Sequence, residues 1–159
     1  MGFVSNSKGS TDETLFIGGG STVGAGASNL GTLDITNFTI MKGASIMGDP
    51  ELTGTGNAEL WGFFPVTMNN NMARVAMIDK TSAAESMQIP LSGTDFSKQA
   101  GAWAFAFYGG EFFVFLAKSN GATTVYHLDM TGLKDQLDTK TRHIVGAGVS
   151  TCAPTVPIG

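Results

Sequence analysis

The chain repeats itself, and that constrains its fold more than any other feature. An acid opens a run of large apolar side chains at ETLFIGG (13–19), ELWGFFP (59–65) and EFFVFLA (111–117). A connection rich in Gly, Asn or Ser follows, then an alternating segment ending in a hydrophobe and an aspartate: NLGTLDIT (29–36), ARVAMIDKT (73–81) and TTVYHLDMT (123–131). A further segment closes each copy, FTIMKG (38–43), SMQIPL (86–91) and TRHIVGA (141–147). Glu13, Glu59 and Glu111 stand 46 and 52 residues apart, while Asp34, Asp79 and Asp129 stand 45 and 50 apart. Two unlike markers that keep one period identify a tandem structural repeat.

Each copy reads as four β-strands. Before every acid lies another short segment and a turn, in GFVSNSKGST (2–11), ELTGTGNA (51–58) and AWAFAFYGG (102–110). Apolar positions alternate or run continuously over 5–7 residues, with aromatic and β-branched side chains throughout, which excludes helical repeats. Gly56-Asn57 and Gly109-Gly110 suit the positive φ angles of tight hairpins. Four antiparallel strands at this period describe an all-β β-propeller with three blades, about 3–44, 51–92 and 102–147, and a tail at 148–159. The small residues of LTGTGNA and AWAFAFYGG mark the first strand as innermost. The unbroken hydrophobicity of LWGFF and FFVFL marks the second as buried on both faces.

Composition excludes several functions. The 159 residues, 42% hydrophobic and 14% charged, are enough for one core-bearing unit. The net charge of −4 and the scattered basic residues leave no stripe to neutralise phosphates, so nucleic acid is not an expected partner. AWAFAFY (102–108) and FFVFLA (112–117) are too short for a membrane helix, which needs about 20 residues. MGFVSNSKGS lacks the basic-then-apolar layout of a secretion signal.

LGTLDITNFTIMKG and VAMIDKTSAAESMQI resemble propeller repeats in which a strand ends in hydrophobe-Asp-x-x-[TG] and a hairpin follows. The pattern is similar to six-bladed families related to strictosidine synthase, the NHL repeats and the TolB-type propellers. GAWAFAFYGG (101–110) and IVGAGVSTCAP (144–154) resemble segments of exported bacterial propeller proteins, which implies an extracellular or periplasmic parent and no particular reaction. The WD and Kelch signatures are missing, and the converging metal ligands of the enzyme members have no counterparts here. Closed propellers need about 4 to 8 blades, so three blades imply either a homodimer forming a six-bladed ring or half of a longer propeller. Phe16, Phe113 and Phe115 are the second-strand side chains expected to need a neighbouring blade from another copy.

Candidate site residues are few. Glu13, Glu59 and Glu111 either keep the turns wet or form an acidic ring at one rim, where calcium is the ion expected for all-oxygen ligation. Asn69, Asn70, Asn71 and Asn120 lie in connections between second and third strands, and with Tyr108 they are the expected ligand-binding groups, for a glycan or a protein. IGGGSTVGAG (17–26) lacks the lysine of a P-loop and reads as a hairpin loop. Cys152 has no basic neighbour in sequence and reads as a buried small hydrophobe or as the partner of a disulfide with a Cys outside this chain, while His127 and His143 lack the company of a zinc site and read as structural. No catalytic residue is assigned. The two functional readings are a non-catalytic binding or scaffold module and, as the alternative, a propeller hydrolase or lyase with a channel calcium.

Overall fold

The computed structural model describes residues 1–20, 27–68, 70–118 and 121–157. Among these it is all-β: twelve strands in three four-stranded antiparallel sheets. The first sheet holds β1 (Gly2–Ser5), β2 (Glu13–Gly19), β3 (Ala27–Asp34) and β4 (Thr39–Met47) in chain order. The second holds β5 (Glu51–Gly54), β6 (Leu60–Phe64), β7 (Arg74–Ile78) and β8 (Glu85–Pro90). The third holds β9 (Ala102–Tyr108), β10 (Glu111–Ala117), β11 (Thr123–Asp129) and β12 (Gly132–Asp138).

The repeated aspartate makes the last hairpin of each sheet. Asp34 Oδ1 accepts from the Thr36 and Asn37 N–H groups, Asp79 Oδ1 from those of Thr81 and Ser82, and Asp129 Oδ1 from that of Thr131. Each is an Asx turn, in which the carboxylate supplies the bond that starts the reversal. The turns also share a backbone detail, since Phe38 and Ala83, each four residues after its aspartate, take φ of 57° and 58°. Every third strand carries a register shift against the fourth, between Asn29 and Gly31, Val75 and Met77, and His127 and Leu128. The third copy differs from the sequence expectation here. Its fourth strand is GLKDQLD (132–138), immediately after the Asp129 turn, and TRHIVGA lies outside the sheet. The polar β12, exposed at six of seven positions, carries no apolar signal by which sequence could have found it.

The core is two apolar layers on either side of the second sheet. Val4, Phe16, Leu30 and Ile46 pack against Leu60, Phe64 and Ile78 on one side. Trp61, Phe63 and Val75 pack against Phe105, Phe112, Val114 and Tyr126 on the other. Because side chains alternate along a strand, β6 sends Leu60 and Phe64 one way and Trp61 and Phe63 the other, and all five of its residues are buried. Phe16 therefore faces inward and is 7% exposed, which corrects its placement on an outer flank. Phe113 and Phe115 do lie on the face of β10 opposite Phe112, Val114 and Leu116, and both are half-buried.

The first strands adjoin: β1 neighbours β5, and β5 neighbours β9. Glycine permits that approach, since a Cβ on Gly2 would lie 2.9 Å from the Leu52 carbonyl oxygen. After β12 the chain turns back, with Thr123 N–H donating to Arg142 O at 2.8 Å and Ile144 N–H to Thr123 Oγ1 at 2.7 Å. It then runs the length of β9, from Val145 beside Ala102 to Pro154, whose carbonyl accepts from Gly109 N–H at 2.9 Å.

Candidate functional site

Those contacts define two ends. At one lie the turns between first and second strands, joined by the Gly9 N–H to Gly56 O bond at 2.9 Å and covered by Thr151 to Val156. At the other the first strands begin, and the connections between second and third strands emerge.

All three repeated glutamates belong to the first end, where Glu59 and Glu111 are held within their own sheets and Glu13 faces solvent. Glu13 opens β2 opposite Ser5 and is exposed. Glu59 Oε2 accepts from Thr55 Oγ1 at 3.3 Å and from the Trp61 indole N–H at 3.4 Å. Glu111 Oε2 meets His127 Nε2 at 2.7 Å. Among the described residues no three His, Cys, Asp or Glu side chains come together as metal ligands, so Glu13, Glu59 and Glu111 are not gathered within the chain.

The expected ligand-binding groups separate as well. Asn70 braces its own loop, donating from Nδ2 to Pro65 O at 2.6 Å and accepting from Arg74 at 3.0 Å. Asn71 is exposed beside it. Tyr108 is exposed at the β9–β10 turn, the opposite end from Asn70 and Asn71. Asn69 and Asn120 lie outside the described residues. Cys152 is an exposed free thiol, and His143 Nδ1 pairs with Gly121 O at 2.9 Å.

Several polar clusters are structural. Arg74, 9% exposed, makes a fork to Glu85 at 2.6 and 2.5 Å and lies over the Phe64 ring at 4.3 Å. Tyr126 donates to Asp95, which also takes Lys118 at 2.5 Å, tying the loop that carries Phe96 over the third sheet. Lys118 and the Tyr126 hydroxyl hold the Asp95 carboxyl below its ordinary range, while burial, then Asp95, pushes the Tyr126 phenol up.

One cavity stands where the three sheets converge, at the end where the first strands begin. It measures about 380 Å3 and is walled by Gly18 and Gly19 of β2, Ser28 of β3, Glu51 of β5 and Trp103 of β9, with Asp49 from the link between sheets and Val145 from the returning tail. Ser28 Oγ donates to Asp49 Oδ1 at 2.6 Å, and Met1 N pairs with Glu51 Oε1 at 3.4 Å. Sequence reasoning missed this set because its members sit in different copies and in the link GDPE (48–51), outside the repeating pattern. Trp103 and the two carboxylates come to line one cavity only in three dimensions.

Comparisons with protein-family models, curated proteins and solved structures give no match.

Proposed function

We propose that this chain is a non-catalytic β-propeller binding or scaffold module that closes a six-bladed ring by pairing two copies through the outer flanks of the terminal sheets. The observation that carries this reading is an asymmetry of burial. Among the described residues the middle sheet is covered on both faces by its neighbours, whereas the first and third are covered by a neighbouring sheet on one only. Their outer faces nonetheless each carry an apolar row. Cross-strand partners Phe3, Leu15, Leu33 and Ile40 form a row across the first sheet, and Ala104, Phe115, Val125 and Leu137 form one across the third. Phe3 is 38%, Ile40 63% and Leu137 67% exposed. Exposed apolar rows of this kind mark interaction surfaces, and a sheet-on-sheet contact on the order of 1,000 Å2 is the scale of a stable interface.

Burying the first sheet's flank against the third sheet of a second copy repeats the packing that already covers the middle sheet. Two such contacts close a ring and leave no terminal flank in water. We infer an extracellular or periplasmic parent from the resemblance of the carboxyl-terminal segment alone. Light scattering tests the assembly: twice the 16.5 kDa of one chain at micromolar concentration is expected. A cooperatively folded species with the mass of one chain would sink it.

A further inference from the structure

We propose that His127 is a pH-operated clasp for β12, the polar edge strand of the third sheet: as the imidazolium it holds Glu111 of β10 and Asp135 of β12 together, and as the neutral ring it releases Asp135. All three side chains belong to one sheet, so the clasp stands whether or not two copies close a ring.

The strand has little else to hold it. It is exposed at six of its seven positions, and none of its side chains enters either apolar layer, so backbone pairing with β11 and polar contacts must fix it. Its contacts with β11 include two charged pairs. Lys134 Nζ lies 2.9 Å from Asp129 Oδ2, and Asp135 Oδ1 lies 3.3 Å from His127 Nδ1. The other ring nitrogen, His127 Nε2, meets Glu111 Oε2 at 2.7 Å, and the ring lies flat against Phe113, centroids 4.9 Å apart. Register makes this arrangement, since Phe113, His127 and Asp135 are successive cross-strand partners. Phe115, Val125 and Leu137 form the next row of the same outer flank, so the position of β12 shapes that surface.

The proton inventory supplies the switch. A neutral imidazole carries one N–H and offers a lone pair at its second nitrogen, whereas the cation donates from both. With a carboxylate oxygen at each nitrogen, the neutral ring must turn its lone pair toward one of them. Asp135 is the partner given up: its contact is the longer, and its side chain is 74% exposed against 28% for Glu111, so water takes its place. The other groups around the ring offer no substitute donor. Lys134 is bound to Asp129, and β9 contributes only the Tyr108 phenol opposite Glu111, at the far side of the sheet from β12. Histidines ordinarily change charge at about pH 6.5, so the clasp engages on the acid side and opens as pH rises.

Amide exchange followed by NMR on the full chain reads the clasp, because protection factors remove the intrinsic pH dependence of exchange and report local opening. Amides of β12 should be about two- to fivefold better protected at about pH 5.5 than at about pH 7.5, the scale of an exposed charged pair. Amides of β1 and β2 should not follow. His127→Gln and Asp135→Asn should each abolish the difference, and the exposure of Asp135 means that the second variant keeps the fold. His143→Gln controls for the chain's other histidine, whose Nδ1 pairs with Gly121 O, and should leave the difference intact. Equal protection of β12 at both pH values in the parent would overturn the clasp. So would a change of the same size in β1 and β2, a difference that survives both His127→Gln and Asp135→Asn, or one that vanishes in His143→Gln.

Discussion

Gly54 of β5 and Phe3 of β1 stand backbone to backbone: a Cβ on Gly54 would lie 2.0 Å from the Phe3 carbonyl oxygen and 2.6 Å from Val4 Cγ2. This is where the first sheet seats against the second, and nothing flexible is there to give way. Gly54→Ala should therefore force the two first strands apart and open the layer that holds Val4, Leu52 and Leu60. A loss of about 3 kcal/mol or more in chemical denaturation is expected, as for other overpacked core positions. A loss under about 0.5 kcal/mol would mean that the first sheet docks some other way.

Arg74 presents the opposite case, a large charged side chain held inside. Its partners Glu85, Asn70 and the Phe64 face satisfy it on all sides. Arg74→Ala leaves Glu85 half in the interior without its fork. Destabilisation of about 3–5 kcal/mol is expected, because breaking a buried pair strands the remaining charge. Arg74→Met with Glu85→Leu should recover most of it, and failure of that pair to recover stability would argue against a stranded charge as the cause.

The aspartate turns predict an acid limb. Asp129 is held well below the ordinary carboxylate range by Thr131 first and by Lys134 next, and Asp79 is lowered chiefly by the Ser82 N–H. A depressed carboxyl contributes stability that is present above its unfolded value, near 3.8, and is lost as pH falls through the folded value. Thermal midpoints should thus fall below about pH 4. Asp129→Asn should melt below the parent at neutral pH, and the gap should narrow as pH falls below the unfolded value, near 3.8, toward the folded value. A gap that persists in acid would mean the turn geometry, not the charge, carries the effect.

Phe113 lies on the outer flank of the third sheet, its ring stacked on His127 at 4.9 Å, with Glu111 and Asp135 on either side of the imidazole. Phe113→Asp places a further carboxylate on the surface assigned to a second copy. If two copies pair there, light scattering should show the mass falling to one chain, or aggregation, because burying that charge costs several kcal/mol. An unchanged two-chain mass would move the interface elsewhere.

Phe38 holds a left-handed backbone, φ 57°, at the end of an aspartate turn, with its side chain 78% exposed. Phe38→Gly relieves a conformation that costs a non-glycine residue about 1–2 kcal/mol, against about 0.5–1 kcal/mol of added chain entropy. A net gain of about 0.5–1 kcal/mol in urea unfolding is expected. A net loss would show that the exposed ring makes contacts worth more than the strain.

What the sequence determined by itself is local and periodic. Hydrophobe-Asp marked the end of β3, β7 and β11 because the Asx turn needs only the aspartate and the next two or three N–H groups. The unbroken apolar run of LWGFF marked a strand covered on both sides, and β6 is that strand. Which way a side chain faces was less legible. Leu15 and Phe16 are adjacent and both apolar, so only the seating of the second sheet shows that Phe16 looks inward while Leu15 joins the outer row. Polar β12 was invisible for the complementary reason, since its seven residues bury almost nothing and its Lys134 and Asp135 meet Asp129 and His127 only once the strand is paired.

The tertiary structure alone decided the rest. Glu13, Glu59 and Glu111 recur in sequence but stay apart in space, since each copy satisfies its own acid or turns it to solvent. Ser28, Asp49, Glu51 and Trp103 share no motif, yet they meet because β2, β5 and β9 converge at one end of the molecule. A repeat repeats local energetics, so its sequence reports what each copy does for itself. A site between copies depends on how whole sheets pack, and that packing is a sum over many side chains that no single segment records.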